Sequence, residues 1–259
     1  MQKKSGSLFG LLFGFTAIFG AYLLEGGSFK ALFMFPAMLV VFGGTFAATI
    51  IGVGFDKFKK IFYLIRLAYF PPRYDIKKLI DGFVKVAVKS RQEGVLAIEN
   101  QLSNLIYPFP KKMMHFVMDG TEIDLLESIA LREMNAMQGR HNTYISMFNK
   151  MGGYAPTMGI IGTVMGLIMT LANAGKDPDT LIHSIATAFI ATLWGIFSAN
   201  LLWLPIADKL KQCHLEEKYM MEVSLEGVMA IQSGEIPSIV KSRLMSLLPQ
   251  KEQGSIGRV

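Results

Sequence analysis

Four stretches of this chain carry no charged side chain for long enough to cross a bilayer, and that restricts its fold more than any motif does. Residues 5–24, 31–55, 151–175 and 180–207 lack Asp, Glu, Lys and Arg over 20, 25, 25 and 28 positions. About 20 mostly apolar helical residues span the ~30 Å of bilayer hydrocarbon, where every backbone polar group must be satisfied within the helix. Elsewhere charge interrupts the apolar pattern well before that length. Four transmembrane helices are the economical reading. The alternative, four buried core helices, requires core helices to stay uncharged for unusually long. Residues 5–24 also have the outline of a signal peptide behind Lys3 and Lys4, but Glu25-Gly26-Gly27 follows in place of a small-x-small cleavage site. Composition agrees with a membrane chain: 51% hydrophobic and 18% charged residues exclude a disordered one. A single cysteine, Cys213, excludes a disulfide framework and a multi-cysteine zinc site.

The basic residues set the orientation. The connections 25–30 and 176–179 hold one Lys each, whereas the N-terminus, the segment 56–150 and the tail from 208 hold two, fifteen and seven Lys or Arg. By the positive-inside rule both termini and the long segment are cytoplasmic, and the two short connections face outward as tight hairpins. The net charge of +6 then follows from topology, and no nucleic-acid partner is needed to explain it.

Residues 56–150 and 208–259 together form a domain's worth of chain. Apolar residues recur at helical spacing at Ile76, Leu79, Ile80, Phe83, Val84 and Ala87. The same spacing recurs in Val95–Ile106, in Ile123–Met134 and in Val223–Ile231. Breaks fall at Pro71-Pro72, at Pro108 and Pro110, and between Gly234 and Pro237. Thr121 or Asp119 is expected to cap a helix beginning near Ile123. The predicted fold class is all-α: membrane helices 1 and 2 in 1–55, a helical cytoplasmic domain in 56–150, membrane helices 3 and 4 in 151–207, and a tail in 208–259 packing on that domain.

Small residues recur every fourth position at Gly44, Ala48 and Gly52, at Gly162 and Gly166 with Gly159 one turn earlier, and at Ala191, Gly195 and Ala199. Such stripes let membrane helices approach closely. They fit packing within the chain, and three of them together suggest neighbours in an oligomer. No ionisable Asp, Glu, Lys or Arg lies inside any run. The chain can line an ion path with Thr163, Thr170, Thr187, Thr192, Ser198, carbonyls near Pro156 and Pro205 and a terminal His183, but a partner has to bring the titrating carboxylate. Each threonine can equally bond back to its own helix. No phosphate loop, HExxH, GxSxG or CxxC occurs, and the four histidines lack metal-ligand spacing, so no catalytic residue, metal site or cofactor is expected.

Four motifs resemble the MotA family of flagellar motor stator proteins. They are Leu23-Leu24-Glu25-Gly26-Gly27, the segment from Arg91 to Glu99 (RQEGVLAIE), Ala155-Pro156-Thr157-Met158-Gly159-Ile160-Ile161-Gly162 followed by Val164-Met165-Gly166, and Gly234-Glu235-Ile236-Pro237. The Arg91–Glu99 and Pro156 segments are the specific ones, and Ile236 departs from the asparagine usual in the tail motif. The resemblance implies a multi-pass protein of the bacterial inner membrane that forms a homopentamer around a dimer of MotB. That partner is a single-span protein whose helix carries the ion-binding aspartate. It implies coupling roles for Pro156 and Pro205, and it places Arg91 and Glu99 against the rotor protein FliG. Eight residues apart, Arg91 and Glu99 can lie toward one side of a helix, though a solvated face accounts for them equally well. Members with threonine at the position of Thr163 resemble the sodium-driven type. Thr163 and Thr192 would supply oxygen ligands to Na+, and the proton is the competing ion. Two other readings stand beside this one. ExbB/TolQ-type energisers have three spans and an external N-terminus, which four spans and Lys3-Lys4 disfavour. A passive membrane scaffold would have no use for a hydroxyl-lined proline face.

Overall fold

The computed structural model describes residues 6–173, 175 and 178–250. Lys3, Lys4, Lys176 and the tail's Lys251 and Arg258, which enter the charge count above, lie outside the described residues. Among the described residues every regular element is helical. The main helices are α1 (Gly6–Leu24), α2 (Phe35–Val53), α3 (Ile61–Tyr69), α4 (Ile76–Glu93), α5 (Pro108–Met118), α6 (Ile123–Ala172), α7 (Pro178–Gln232) and α8 (Pro237–Ser246). The chain forms two compact units, one from 1–72 with 141–213 and one from 73–140 with 214–259.

In the first unit, α2, α6 and α7 are long and apolar enough to cross a membrane, and Leu8–Leu24 of α1 is a shorter apolar stretch. Aromatic packing ties α1, α2 and α7 together: Phe19 and Phe42 lie 6.0 and 6.1 Å from the Trp194 ring, and Phe197 lies 5.4 Å from it. The Trp194 indole donates to the Leu32 carbonyl at 2.8 Å, which pins the single helical turn Phe29–Leu32 to α7. The buried hydroxyls of Thr45 and Thr49 donate to the carbonyls four residues earlier, Val41 and Thr45, so α2 hides no unsatisfied polar group at either position. The amphipathic α3 lays Ile61, Leu64 and Ala68 against Phe148, Met151, Trp203 and Ile206, and leaves Phe62 and Tyr63 exposed.

The second unit is a helical bundle around Leu79, Ile80, Phe83, Met113, Met114, Leu126, Val228 and Leu244. The Asp75 side chain caps α4 by accepting from the Lys78 amide at 3.1 Å. Pro108 opens α5 at its first position, where the missing N–H leaves no bond unmade, so this proline starts a helix rather than only ending one. Arg243 of α8 ion-pairs with Glu226 of α7, and donates to Glu235 at 2.5 Å. The Glu226 carboxylate holds the Arg243 guanidinium above its usual pKa. The segment Val95–Asn104 has helical spacing but forms a tight 3-10 helix. Apolar residues at i and i+3 fit both helix types, and that is why spacing alone reads it as α.

The carboxyl end of the fourth apolar run does not end a helix. α7 continues through it to Gln232, with a π-helical segment, Ala199–Trp203, just ahead of Pro205. A proline clashes with the carbonyl four residues back and removes its hydrogen bond. The wider π turn absorbs both without breaking the helix.

Candidate functional site

The hydroxyls expected to line an ion path meet between α6 and α7. Thr163 lies one turn after Gly159, and Thr192 lies one turn before Ile196. Their side-chain oxygens are hydrogen-bonded to one another. Thr163 Oγ1 also lies 3.1 Å from the Gly159 carbonyl and 3.0 Å from that of Ala188. Both threonines are half-buried. Four oxygens thus converge with two hydroxyl protons among them, and a hydroxyl donates only one bond at a time. The lone pairs left over make the cluster electronegative and suited to a cation rather than an anion.

Backbone proximity builds this cluster. A Cβ at Gly195 would lie 2.7 Å from the Ala155 carbonyl, and one at Gly159 would lie 3.0 Å from the Ala191 carbonyl. Methyl groups at Gly162 and Gly166 would come within 2.6 Å of Ala191 Cβ and 2.7 Å of Ala188 Cβ. The stripes on α6 and α7 therefore interlock with each other. They are occupied inside one chain and carry no argument for an oligomer. The remaining span hydroxyls are also locally satisfied: Thr170 donates to the Gly166 carbonyl at 2.9 Å, Thr187 to that of His183 at 2.8 Å, and Ser198 to that of Gly195 at 3.2 Å.

Pro156 sits inside the 50-residue α6, where it leaves the Gly152 carbonyl without its helical donor. Gly152 faces Leu204, the residue before Pro205, so the two proline sites share one layer of the α6–α7 packing. Pro205 itself is exposed and lines a cavity, whereas Pro156 is half-buried.

Arg91 and Glu99 are both exposed, but they do not share a helix. α4 ends at Glu93, and Gly94, with φ +86°, turns the chain into the 3-10 segment that carries Glu99. Only glycine takes that backbone conformation readily. The expectation that eight residues of one helix separate the two charges is thereby corrected. Arg91 instead donates to the Gly234 carbonyl at 3.2 Å, which joins the Arg91 segment to the turn of the tail motif.

The Ala188 carbonyl is not legible in the sequence: carbonyls near Pro156 are marked by the proline, whereas a backbone oxygen on a second helix has no side-chain signature. The crossing of α6 over α7 brings it in.

Residues 8–94 match the motility protein A N-terminal family, and residues 99–223 match the MotA/TolQ/ExbB proton channel family. Motility protein A of Bacillus subtilis (strain 168) is 35% identical over 95% of this chain and 92% of its own length. Motility protein A of Treponema pallidum (strain Nichols) is 33% identical over 95% and 94%. The solved flagellar MotAB stator complex from Bacillus subtilis matches with a TM-score of 0.90 at 34% identity, over 98% of this chain and 100% of the matched one.

Proposed function

The chain belongs to the MotA/TolQ/ExbB proton channel family, on its motility protein A branch, and from that premise we propose that it is the ion-conducting stator subunit of a bacterial flagellar motor. A subunit of this kind is a multi-pass inner-membrane channel component, not an enzyme. α1 serves as a fourth crossing, both termini are cytoplasmic, and the segments 56–150 and 208–259 lie on the cytoplasmic side. Five copies surround a dimer of a MotB-like single-span protein, whose membrane aspartate binds the ion. The relative solved as a MotAB complex supports such a partner. So does α6, whose most apolar stretch is only 11% buried within the chain, leaving Ile160, Val164, Leu167, Ile168 and Leu171 for lipid or other chains to cover.

The observation that carries the ion reading is the oxygen cluster of Thr163, Thr192, Gly159 and Ala188. A bare Na+ needs several short oxygen ligands, whereas a proton needs only a carboxylate and a water chain. We assign Na+ to the path, with the partner's carboxylate completing the shell. The back-bond from Thr163 to Gly159 favours a second reading, in which the hydroxyls only hold the helices and the ion is H+. Thr163→Val keeps the shape and removes the oxygen. In a strain with this chain and its partner as sole stators, the variant should lose most of its sodium-dependent swimming speed at unchanged membrane level. Full sodium-driven speed in the variant would overturn the assignment. Pro156 and Pro205 transmit the partner's charge change through the α6–α7 layer, and Arg91 and Glu99 meet FliG.

A further inference from the structure

A cavity of about 470 Å³ opens in the first unit, a size within the ~300–1,000 Å³ range of small-molecule sites. Its walls divide by chemistry. Gly10, Leu11, Ala68, Leu201 and Ile206 are apolar and come from α1, α3 and α7. Tyr69, Asp208, Lys209 and Gln212 are polar, and Tyr69 ends α3 while the other three follow Pro205 on α7. With the orientation proposed above, the apolar wall faces the inner edge of the hydrocarbon and the polar wall lies at headgroup depth. An amphiphile fits that division, whereas a fully polar metabolite or an apolar molecule satisfies only half of it.

The charges narrow the class further. An anionic headgroup would lie against the Asp208 carboxylate, and a cationic one against the Lys209 ammonium. A zwitterion with both charges satisfies both walls. Asp208 rewards a donor, so a primary ammonium fits it, whereas a trimethylammonium has no N–H to give. The Tyr69 phenol, which burial pushes above its ordinary pKa, is a donor for a phosphate oxygen as any neutral phenol is.

We propose that this cavity is a phospholipid site selective for a phosphoethanolamine headgroup, with the phosphate held by Lys209, Tyr69 and Gln212 and the ammonium held by Asp208. The inference rests on the membrane placement proposed above for the stator reading. Pro205 lines the same cavity, two residues after the π-helical segment Ala199–Trp203 of α7, the helix that also carries Thr192. An occupant therefore bears on the helix that carries the ion cluster, which makes the site a point where lipid composition acts on coupling.

The test uses the full chain co-purified with its single-span partner and reconstituted in nanodiscs. The discs are made with phosphatidylethanolamine, phosphatidylcholine or phosphatidylglycerol in equal admixture to a common lipid. Lipid retained through detergent washing is read by native mass spectrometry. Phosphatidylethanolamine should be retained at least fivefold over the other two. Glycerophosphoethanolamine, which has the headgroup without tails, should not compete at millimolar concentration. Competition by it would transfer the site to a soluble ligand and overturn the lipid assignment. Asp208→Asn should abolish the preference over phosphatidylcholine, and Leu11→Trp should fill the cavity and lower retention several-fold. Equal retention of the three lipids by the unmutated complex overturns the proposal without any variant, and it is also the result expected if a second copy of the chain fills the cavity. Retention is read independently of ion flow, so its failure leaves the stator reading intact, and failure of ion flow leaves retention measurable.

Discussion

Arg91 reaches across to the Gly234 carbonyl, and Glu99 projects from the 3-10 segment beyond Gly94. If they meet a charged rotor surface, reversing either should impair torque. Arg91→Glu also removes one hydrogen bond to an exposed turn, a loss of about 1 kcal/mol or less, so the amount of protein in the membrane should not change. Arg91→Lys keeps the charge and should keep most of the motility. Unaltered swimming in the double variant Arg91→Glu, Glu99→Lys, scored in soft agar at matched expression, would remove both from the rotor contact. At this scale the sequence carries the identity of polar groups better than their partners. Thr163 and Thr192 stand out as hydroxyl ligands in uncharged spans, and their contact with each other depends on a helix crossing. The Arg91 bond to Gly234 joins residues 143 positions apart, and no local pattern signals it.

Between elements, the α6–α7 contact is set where glycine leaves room for backbone. Gly195→Ala would put a methyl 2.7 Å from the Ala155 carbonyl and 3.1 Å from Gly159 Cα, atoms that cannot swing aside as a side-chain end can. Overpacking of this kind costs about 1–3 kcal/mol. The variant complex should melt several degrees lower in detergent and lose the Thr163–Thr192 alignment with it, whereas Gly153→Ala, with open space around it, should do neither. Pro156→Leu restores a donor for the Gly152 carbonyl within α6. The complex should still assemble, and swimming should fail. Loss of the complex on size-exclusion chromatography would make Pro156 a packing residue. Helices were legible wherever apolar residues kept a 3.6-residue period over three turns, as in α4. The π segment before Pro205 was not, because side-chain spacing over five residues does not report which carbonyl each amide selects.

For the whole molecule, charge and compaction draw different lines. In the proposed topology, lysine and arginine counts put the membrane boundary near residues 55, 150 and 208, whereas packing changes at 72, 140 and 213. In that topology charge marks where the chain meets water. Packing continues past it, because α3 lies against the middle of α6 and α7, at Phe148, Met151, Trp203 and Ile206. The topology is tested in a chain with Cys213→Ser and single cysteines introduced. An impermeant thiol reagent added outside should label Gly27→Cys and Pro178→Cys, and should reach Gln92→Cys and Lys211→Cys only after lysis. Outside labelling at position 92 would invert the protein and detach its charges from the rotor.

The stator proposed here passes a cation, sodium, between α6 and α7 to drive rotation. The direct measurement is swimming speed against external Na+ at fixed pH, in cells lacking all other stators and carrying this chain with its partner. Speed should rise with sodium and saturate, and it should persist when a protonophore collapses the proton gradient while the sodium gradient is held. Full speed without sodium, abolished by the protonophore, would contradict the sodium path, and no restored swimming at any sodium concentration would contradict the stator assignment itself.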